Sequence, residues 1–322
     1  MQTYAFVFPG QGSQSVGMGR ALAESSPAAA AVFEAADAAL GEPLSRLAWE
    51  GPEEELNRTE NSQPALLAAS IAALDALGER RSRAGLPLLR PAFAAGHSMG
   101  QYTALVASGA IGLADGVRLV RERGRLMQSS GRGREGRMAA LIGLDDDRLP
   151  ELITRASAAG ILTIANRNAP GQVVVSGERA AIDAATEIAK ELGARRAIVL
   201  PVSVAAHSPL MAEAAQGMRE VLAEVEFGDP DPPLLANADG APIATAEEAR
   251  EELVAHLTAG VDWIGAVDRM IAAGVTTFVE IGPGRVLTSL IKRIVPDVEA
   301  IATDDPSSAE RLDQLGAAAA PA

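Results

Sequence analysis

The sequence contains no cysteine, only three histidines and few aromatic residues. The absence of cysteine excludes disulfides, thiolate catalysis and zinc sites built on thiolates. Because His97, His207 and His256 are the only histidines, a multi-histidine metal site is disfavoured, and any histidine base must be one of these three. Aromatic residues make up 3% of the 322 residues, so the core must consist mainly of Ala, Leu, Val and Ile.

Long apolar runs and an excess of basic charge are also missing. No run reaches the roughly 20 residues that a membrane-spanning helix needs, and the start of the chain lacks the basic segment of a signal peptide. We therefore expect a cytoplasmic protein without a membrane partner. The net charge of −14, from 28 basic and 42 acidic residues, disfavours nucleic acid as a partner. A monomer is the expected state.

Predicted strands and helices alternate along most of the chain, which indicates a mostly parallel sheet covered on both faces. Residues 4–8 form the first predicted strand, and a Gly-rich loop follows over residues 9–14. Residues 137–200 have the predicted order β-α-β-β-α-β, which is that of a ferredoxin-like subdomain. The predicted fold class is α/β, with a core over residues 1–131 and 203–322 and an inserted subdomain over residues 132–202.

A candidate nucleophile lies in Gly96-His97-Ser98-Met99-Gly100, which matches the pattern G-x-S-x-G between a predicted strand and a predicted helix. This is the context of a nucleophile elbow, where glycines allow a sharp turn and the serine hydroxyl is exposed. The start of the following helix favours developing negative charge. Ser98 is therefore the candidate nucleophile, although such a pentapeptide also occurs by chance in chains rich in Ala and Gly.

A serine nucleophile needs a base within reach. His97 adjoins Ser98, and neighbouring residues at a sharp turn point in different directions, so His97 is a poor candidate. His207 lies in a predicted loop before a helix, a position that suits a catalytic side chain, whereas His256 lies within a predicted helix. We favour His207 over His256, and a structural role remains the alternative for each histidine.

One arginine falls on the apolar stripe of a predicted helix over residues 115–129. Arg123 lies three or four residues from Leu119, Val120, Leu126 and Met127, whereas its neighbouring arginines lie off the stripe. A guanidinium facing a core must find an anion, because an unpaired buried charge is very costly. Arg123 is thus predicted to bind a substrate carboxylate, with an internal salt bridge to Asp or Glu as the alternative.

Short motifs follow one another along the chain: Phe8-Pro9-Gly10-Gln11-Gly12-Ser13-Gln14, Gly96-His97-Ser98-Met99-Gly100, Arg123-Gly124 with Met127-Gln128, Asn168-Ala169-Pro170-Gly171-Gln172, Pro201-Val202-Ser203 leading to His207, Asn237-Ala238-Asp239-Gly240, and Glu280-Ile281-Gly282-Pro283-Gly284. In these motifs the chain resembles the malonyl-CoA:acyl carrier protein transacylases and the related acyltransferase domains of fatty-acid and polyketide synthases. The matches span most of the chain and are far more specific than one G-x-S-x-G. The resemblance implies an α/β-hydrolase-like core with a mostly parallel sheet and an inserted ferredoxin-like subdomain.

The resemblance also implies roles for individual residues. Ser98 would be the nucleophile and His207 its base, while the backbone N–H groups of Gln11 and Met99 would form the oxyanion hole. Arg123 would bind the free carboxylate of malonate. The implied activity is transfer of malonyl from malonyl-CoA to the phosphopantetheine thiol of acyl carrier protein, for fatty-acid synthesis and without a cofactor.

The chain departs from the family at a few positions. Met99 and Gln101 replace the Leu and Glu that often follow the serine, and the backbone N–H of residue 99 is kept. His256 stands where the family commonly has a Gln whose carbonyl orients the histidine, and any residue supplies that carbonyl. Ala206, just before His207, leaves room beside the malonyl carbon, so methylmalonyl remains a possible substrate.

Several alternatives stay open at this stage. They are a serine esterase or thioesterase with the same dyad, a non-catalytic carrier-binding protein, and a standalone acyltransferase of a polyketide synthase. Because carrier proteins are acidic, a local basic patch is needed for docking. The candidates are Arg132, Arg134 and Arg137, or Arg285, Lys292 and Arg293, with a merely solvated charged surface as the alternative.

Overall fold

The computed structural model describes residues 3–130, 135–202 and 204–316. Within these residues it contains eleven strands and fourteen α-helices. The strands are β1 (Tyr4–Phe8), β2 (Phe93–Gly96), β3 (Gly136–Ile142), β4 (Leu162–Ala169), β5 (Gln172–Glu178), β6 (Arg196–Val199), β7 (Leu234–Leu235), β8 (Pro242–Ile243), β9 (Val261–Asp262), β10 (Thr277–Glu280) and β11 (Glu299–Ala302). The helices are α1 (Arg20–Ser25), α2 (Pro27–Leu40), α3 (Leu44–Glu50), α4 (Glu53–Leu56), α5 (Thr59–Arg83), α6 (Gly100–Ala107), α7 (Leu113–Ser130), α8 (Leu149–Ala156), α9 (Arg179–Glu191), α10 (Ala212–Ala223), α11 (Ala246–Ala255), α12 (Trp263–Ala272), α13 (Val286–Ile294) and α14 (Ala309–Gln314).

The larger sheet has the strand order β11-β10-β1-β2-β7-β8. Its strands run parallel from β11 to β7, and β8 pairs antiparallel with β7. All five residues of β1 are buried: Tyr4, Phe6 and Phe8 pack into one apolar cluster, while Ala5 and Val7 pack into another. This alternation follows from the pleat of a strand, and it explains why a strand covered on both faces is apolar throughout.

The smaller sheet has the order β6-β3-β5-β4-β9. Its first four strands pair antiparallel, and with α8 and α9 they enclose a separate apolar core. The predicted ferredoxin-like arrangement is thus confirmed. The fifth strand, β9, lies outside the predicted range 132–202 and pairs parallel with β4, so a segment from outside that range completes the smaller sheet. The division at residues 131/132 and 202/203 stays a prediction.

Local signals located several helix starts. Ser26 caps α2 by accepting the N–H of Ala29, and Thr245 forms a capping box with Glu248 at α11. Pro64 lies inside α5, which begins at Thr59. A 3-10 turn stands on each side of α8.

The parallel strands bring distant segments together at one edge of the larger sheet. The Gly-rich loop follows β1, the residues of the elbow follow β2, and Asn237 comes shortly after β7. Because β1, β2 and β7 are neighbours, their carboxyl ends lie side by side, which is where open α/β sheets bind ligands. No helix in the described ranges is both long and apolar enough to cross a membrane.

Candidate active site

Ser98 lies at a strained turn between β2 and α6. Its φ angle is 53°, in the left-handed region that residues other than glycine seldom adopt. Two glycines make the turn possible, since a Cβ on Gly96 would lie 1.9 Å from the backbone carbon of Gly100, and a Cβ on Gly100 would lie 2.2 Å from the Phe8 oxygen. This geometry is that of a nucleophile elbow, and the strain holds the Ser98 hydroxyl away from its own strand.

His207 contacts the Ser98 hydroxyl directly. The distance from Ser98 Oγ to His207 Nε2 is 2.8 Å. On the other side of the ring, Nδ1 lies 2.7 Å from the carbonyl oxygen of His256 and 3.1 Å from that of Ala259. Because carbonyl oxygens only accept, the proton must sit on Nδ1, which leaves Nε2 free to accept from Ser98. The arrangement is a serine–histidine dyad in which two backbone carbonyls orient the base.

The protonation state of His207 suits a general base. Burial and then the nearby Arg123 cation lower the pKa of His207 to about 4. The ring is therefore neutral at pH 7 and can take a proton from Ser98. Burial and the Arg123 cation make this site unfavourable for a positive charge on the ring.

Two backbone N–H groups are available beside Ser98. Within the described residues, neither the N–H of Gln11 nor that of Met99 has a hydrogen-bond partner. Met99 immediately precedes α6, and Gln11 lies in the loop after β1. The side-chain amide of Gln11 donates to Thr59 Oγ1 at 3.3 Å. Free backbone amides can stabilise an oxyanion, and the amide of Met99 also lies at the start of a helix.

Arg123 is buried, with 1% of its surface exposed, and points at the nucleophile. Its Nη2 donates to Ser98 Oγ at 3.1 Å, and its Nη1 donates to Gln63 Oε1 at 2.9 Å. The Nε atom has no partner, and no Asp or Glu among the described residues pairs with this guanidinium. Its face lies 5.6 Å from the centre of the Tyr102 ring. The described residues therefore contain no internal salt bridge to Arg123, which was the alternative interpretation.

Burial lowers the pKa of Arg123 from its usual value, yet a guanidinium remains charged at neutral pH. A buried cation held by an amide, a hydroxyl and an aromatic face has spare hydrogen-bonding capacity and no counter-ion. Such a group can bind a small anion close to Ser98 Oγ. The arrangement is chemically suited to a ligand that carries a carboxylate.

A cavity of about 270 Å³ opens beside these groups. Its polar lining includes Gln11, His97, Ser98, Arg123, Asn166, Asn168 and His207. Its apolar lining comes from α7, the smaller sheet, the segment after β6 and α13, and includes Met127, Met138, Val174, Leu200, Val202, Val204, Ala206, Val286, Leu287 and Leu290. His97 faces away from the base and its Nε2 lies 2.8 Å from Asn168 Oδ1. His97 thus belongs to the cavity wall that the inserted subdomain shares.

Sequence reasoning did not assign Gln63, which contacts Arg123, or Asn237, which contacts Ser98. Gln63 lies in the apolar helix α5, where nothing in the periodic pattern marks it as functional. Asn237 does fall in one of the motifs, but the motif does not say what it contacts. Among the described residues, no group of three or more His, Asp or Glu side chains is arranged to hold a metal ion.

His256 is fully buried and neither of its ring nitrogens has a hydrogen-bond partner in the described structure. Burial lowers the pKa of His256 well below its usual value, so the ring is neutral. Only the backbone carbonyl of His256 reaches His207. The imidazole is therefore an unsatisfied polar group, whereas the carbonyl orients the base.

Replacing His256 with Leu is expected to keep kcat within about threefold of the parent and to leave the free energy of unfolding unchanged or raised, because removal of an unsatisfied buried polar group is neutral or stabilising. His256→Gln is the matched polar variant, and it should behave alike in steady-state kinetics. A tenfold loss of kcat in both variants, with normal thermal unfolding, would show that the imidazole itself takes part.

Comparison with known proteins places the chain in a family. The model of the acyl transferase domain family matches residues 5–309. A malonyl CoA-acyl carrier protein transacylase of Bacillus subtilis is 42% identical over 311 residues, covering 96% of each chain. The crystal structure of an acyl-carrier-protein S-malonyltransferase from Bartonella henselae superimposes with a TM-score of 0.92 at 42% identity, covering 98% of this chain and 99% of that one.

A further solved structure is a malonyl-transacylase in complex with a type II polyketide synthase acyl-carrier protein. It is 41% identical, has a TM-score of 0.92 and covers 98% of this chain and all of that one. The family match covers far more than half of the sequence, and the solved structures share the overall fold described above. The chain belongs to the acyl transferase family.

Proposed function

We propose that this protein transfers a malonyl group from malonyl-CoA to the phosphopantetheine thiol of acyl carrier protein, in the cytoplasm and through a malonyl ester of Ser98. The observation that carries the proposal is the buried guanidinium of Arg123, which lies 3.1 Å from the Ser98 hydroxyl and has no carboxylate partner in the described residues. A malonyl thioester offers both an electrophilic carbonyl and a free carboxylate, and the site offers a counterpart for each.

In the first half-reaction the Ser98 oxygen attacks the thioester carbon while His207 Nε2 takes the hydroxyl proton. The negative charge on the former carbonyl oxygen would be stabilised by the N–H groups of Gln11 and Met99. Collapse of the intermediate breaks the carbon–sulfur bond, and the proton on His207 passes to the departing sulfur of coenzyme A. The product is malonyl-Ser98, whose carboxylate pairs with Arg123.

In the second half-reaction the thiol of the carrier takes the place of coenzyme A. His207 removes the thiol proton, the sulfur attacks the ester, and the proton returns to Ser98. No step needs a cofactor, because the serine, imidazole, amide and guanidinium groups supply nucleophile, base, oxyanion stabilisation and substrate binding. Transfer must be faster than hydrolysis, and an ester held against Arg123 in a narrow cavity disfavours attack by water.

Two measurements test this function against a thioesterase. Incubation with malonyl-CoA followed by mass spectrometry should give one malonyl adduct on the peptide that carries Ser98. Release of coenzyme A should then show a burst, and continued turnover should require phosphopantetheinylated carrier protein. Steady release of coenzyme A at the same rate without carrier would instead establish hydrolysis, and the absence of any adduct would favour a non-catalytic role.

A standalone acyltransferase of polyketide synthesis is the second candidate, because one of the structural neighbours was solved with a polyketide carrier protein. The two candidates share the chemistry and differ in the carrier. Paired transfer assays with a fatty-acid carrier and a polyketide carrier would separate them. A kcat/KM that is at least tenfold higher for the fatty-acid carrier is expected from the main proposal.

The outer face of α13 is our proposed docking surface for the carrier. Its exposed residues include Arg285, just before the helix, with Lys292 and Arg293. Val286 on the same face is 46% exposed and lines the rim of the cavity. A cationic face with an apolar residue at the entrance suits an acidic carrier that must insert its phosphopantetheine arm. Of the other predicted patch, Arg132 and Arg134 lie outside the described residues.

Charge reversal at this face should weaken docking. The double variant Arg285→Glu with Lys292→Glu is expected to raise KM for the carrier about tenfold, with the burst from malonyl-CoA changed less than threefold, because the first half-reaction does not need the carrier. The control reverses Lys190 and Arg219, neither of which lines the cavity. An equal rise of KM in both double variants would point to net charge rather than to a docking face.

A further inference from the structure

Asn237 is a buried residue at the carboxyl edge of the larger sheet, and the mechanism above gives it no part. It follows β7, the neighbour of β2 in the sheet, and only 3% of its surface is exposed. An Asn side chain offers one acceptor and one donor pair, and a buried one must satisfy both. The contacts of Asn237 therefore show what the residue holds in place.

The side chain of Asn237 spans the nucleophile elbow. Its Oδ1 accepts the backbone N–H of Ser98 at 2.8 Å, and its Nδ2 donates to the carbonyl oxygen of Gly96 at 3.0 Å. These two backbone groups flank the point where the chain turns and where Ser98 takes its φ of 53°. Strained conformations of this kind persist only when the surrounding contacts over-determine them.

The backbone of Asn237 is held as firmly as its side chain. Its N–H donates to Glu252 Oε1 at 2.6 Å, and its carbonyl accepts the N–H of Asp262 at 2.7 Å. Glu252 lies on α11, the helix that ends beside His256. The same helix therefore holds the nucleophile through Glu252 and Asn237, and holds the base His207 through the carbonyl of His256.

We propose that Asn237 is a positioning residue that keeps the Ser98 backbone in its strained turn, and that Glu252 sets the place of Asn237 from the helix that also orients His207. Because the N–H of Ser98 is used by Asn237, it is not available to a developing oxyanion. That task is left to the N–H groups of Gln11 and Met99. The inference rests on Ser98 being the nucleophile, which is part of the proposed function.

The test replaces Asn237 with Asp, which has nearly the same shape. Aspartate keeps an acceptor for the Ser98 N–H but sets a second oxygen against the Gly96 carbonyl, so one end of the bridge becomes repulsive. We expect kcat to fall about 10²-fold with KM for malonyl-CoA changed less than threefold, because small misplacements of reacting groups have effects of that size. Asn61→Asp, at a residue that does not line the cavity, is the control.

A second readout does not depend on malonyl chemistry. The rate at which a fluorophosphonate labels Ser98 should fall by a similar factor in Asn237→Asp and stay within threefold of the parent in Asn61→Asp. If the fluorophosphonate labels Ser98 in the parent protein but no malonyl transfer occurs, the proposed function is contradicted. The labelling rates of Asn237→Asp and Asn61→Asp still test the positioning role in that case.

Variants of Glu252 separate positioning from folding. Glu252→Gln keeps an oxygen acceptor for the Asn237 N–H and should keep kcat within about threefold, whereas Glu252→Ala removes the acceptor and should lower kcat about tenfold at unchanged KM. Each variant is compared as folded protein, by its thermal unfolding. Unchanged kcat and labelling in Asn237→Asp would overturn the proposal, and so would losses of kcat and labelling that simply match the loss of folded protein.

Discussion

Replacement of Ser98 with Ala is expected to lower kcat for malonyl transfer by at least about 10⁴-fold and to abolish the malonyl adduct, because no other described hydroxyl shares the contact with His207 Nε2 at 2.8 Å. His207→Ala should lower kcat by a similar factor, since the hydroxyl then lacks a base. The measurement is steady-state transfer to carrier protein, together with mass spectrometry of the acylated peptide.

The double variant tests whether Ser98 and His207 act together. When two groups act as a unit, the losses of kcat on removing each are strongly non-additive. The kcat of the double variant Ser98→Ala with His207→Ala should therefore be only slightly lower than that of either single variant. The histidine control is His256→Leu, since the imidazole of His256 has no hydrogen-bond partner among the described residues and does not line the cavity. An adduct that persists in Ser98→Ala, or single losses that multiply in the double variant, would contradict the dyad.

Replacement of Arg123 with Ala is the second change with a large expected effect. We expect kcat/KM for malonyl-CoA to fall about 10²–10³-fold, because the substrate carboxylate would be buried without its partner, at a cost of roughly 3–4 kcal/mol. The value for acetyl-CoA should stay the same or rise, since acetyl brings no charge into the cavity. The measurement is the ratio of kcat/KM for the two substrates.

One further variant tests whether the planar geometry of the Arg123 guanidinium matters or only its charge, and a second serves as a control. Arg123→Lys keeps a cation but loses the planar pair of donors that now contact Ser98 and Gln63, so it should recover the preference only in part. Arg125 lies on the exposed side of the same helix and is paired with Glu122. Arg125→Ala should therefore leave kcat/KM unchanged for both substrates. A malonyl preference that survives Arg123→Ala would remove this residue from substrate binding.

The orientation of His207 by carbonyl oxygens has a chemical consequence. In a triad, a carboxylate would stabilise the imidazolium that forms when the base takes a proton. Here two neutral carbonyls take that place, and a guanidinium lies nearby. A protonated His207 would therefore lack the carboxylate partner that a triad supplies.

Local sequence patterns located most of the regular elements. The run of apolar residues predicts β1 with the bounds Tyr4–Phe8, as the structure has it. Strands of two residues, such as β8 and β9, were missed because so short a segment has no period to detect. Their positions depend on the strands they pair with, which lie far away in the chain.

The placement of Arg123 on the apolar stripe of α7 was also predictable from the sequence. A helix repeats every 3.6 residues, so Arg123 shares its face with Leu119, Val120 and Met127, and all four are buried. What the periodicity could not supply was the partner. The side chain could have met a carboxylate, but the packing of α7 against α5 places Gln63 there instead.

The sequence by itself determined the elbow, the candidate base, the buried arginine and the α/β order of the chain, because each depends on residues that are neighbours or lie one helical turn apart. Only the tertiary structure decided that Asn237 bridges the elbow, that the carbonyl rather than the imidazole of His256 contacts His207, and that β9 completes the smaller sheet. Those contacts join segments many residues apart, and their geometry is set by how parallel strands align their carboxyl ends, which no local pattern encodes.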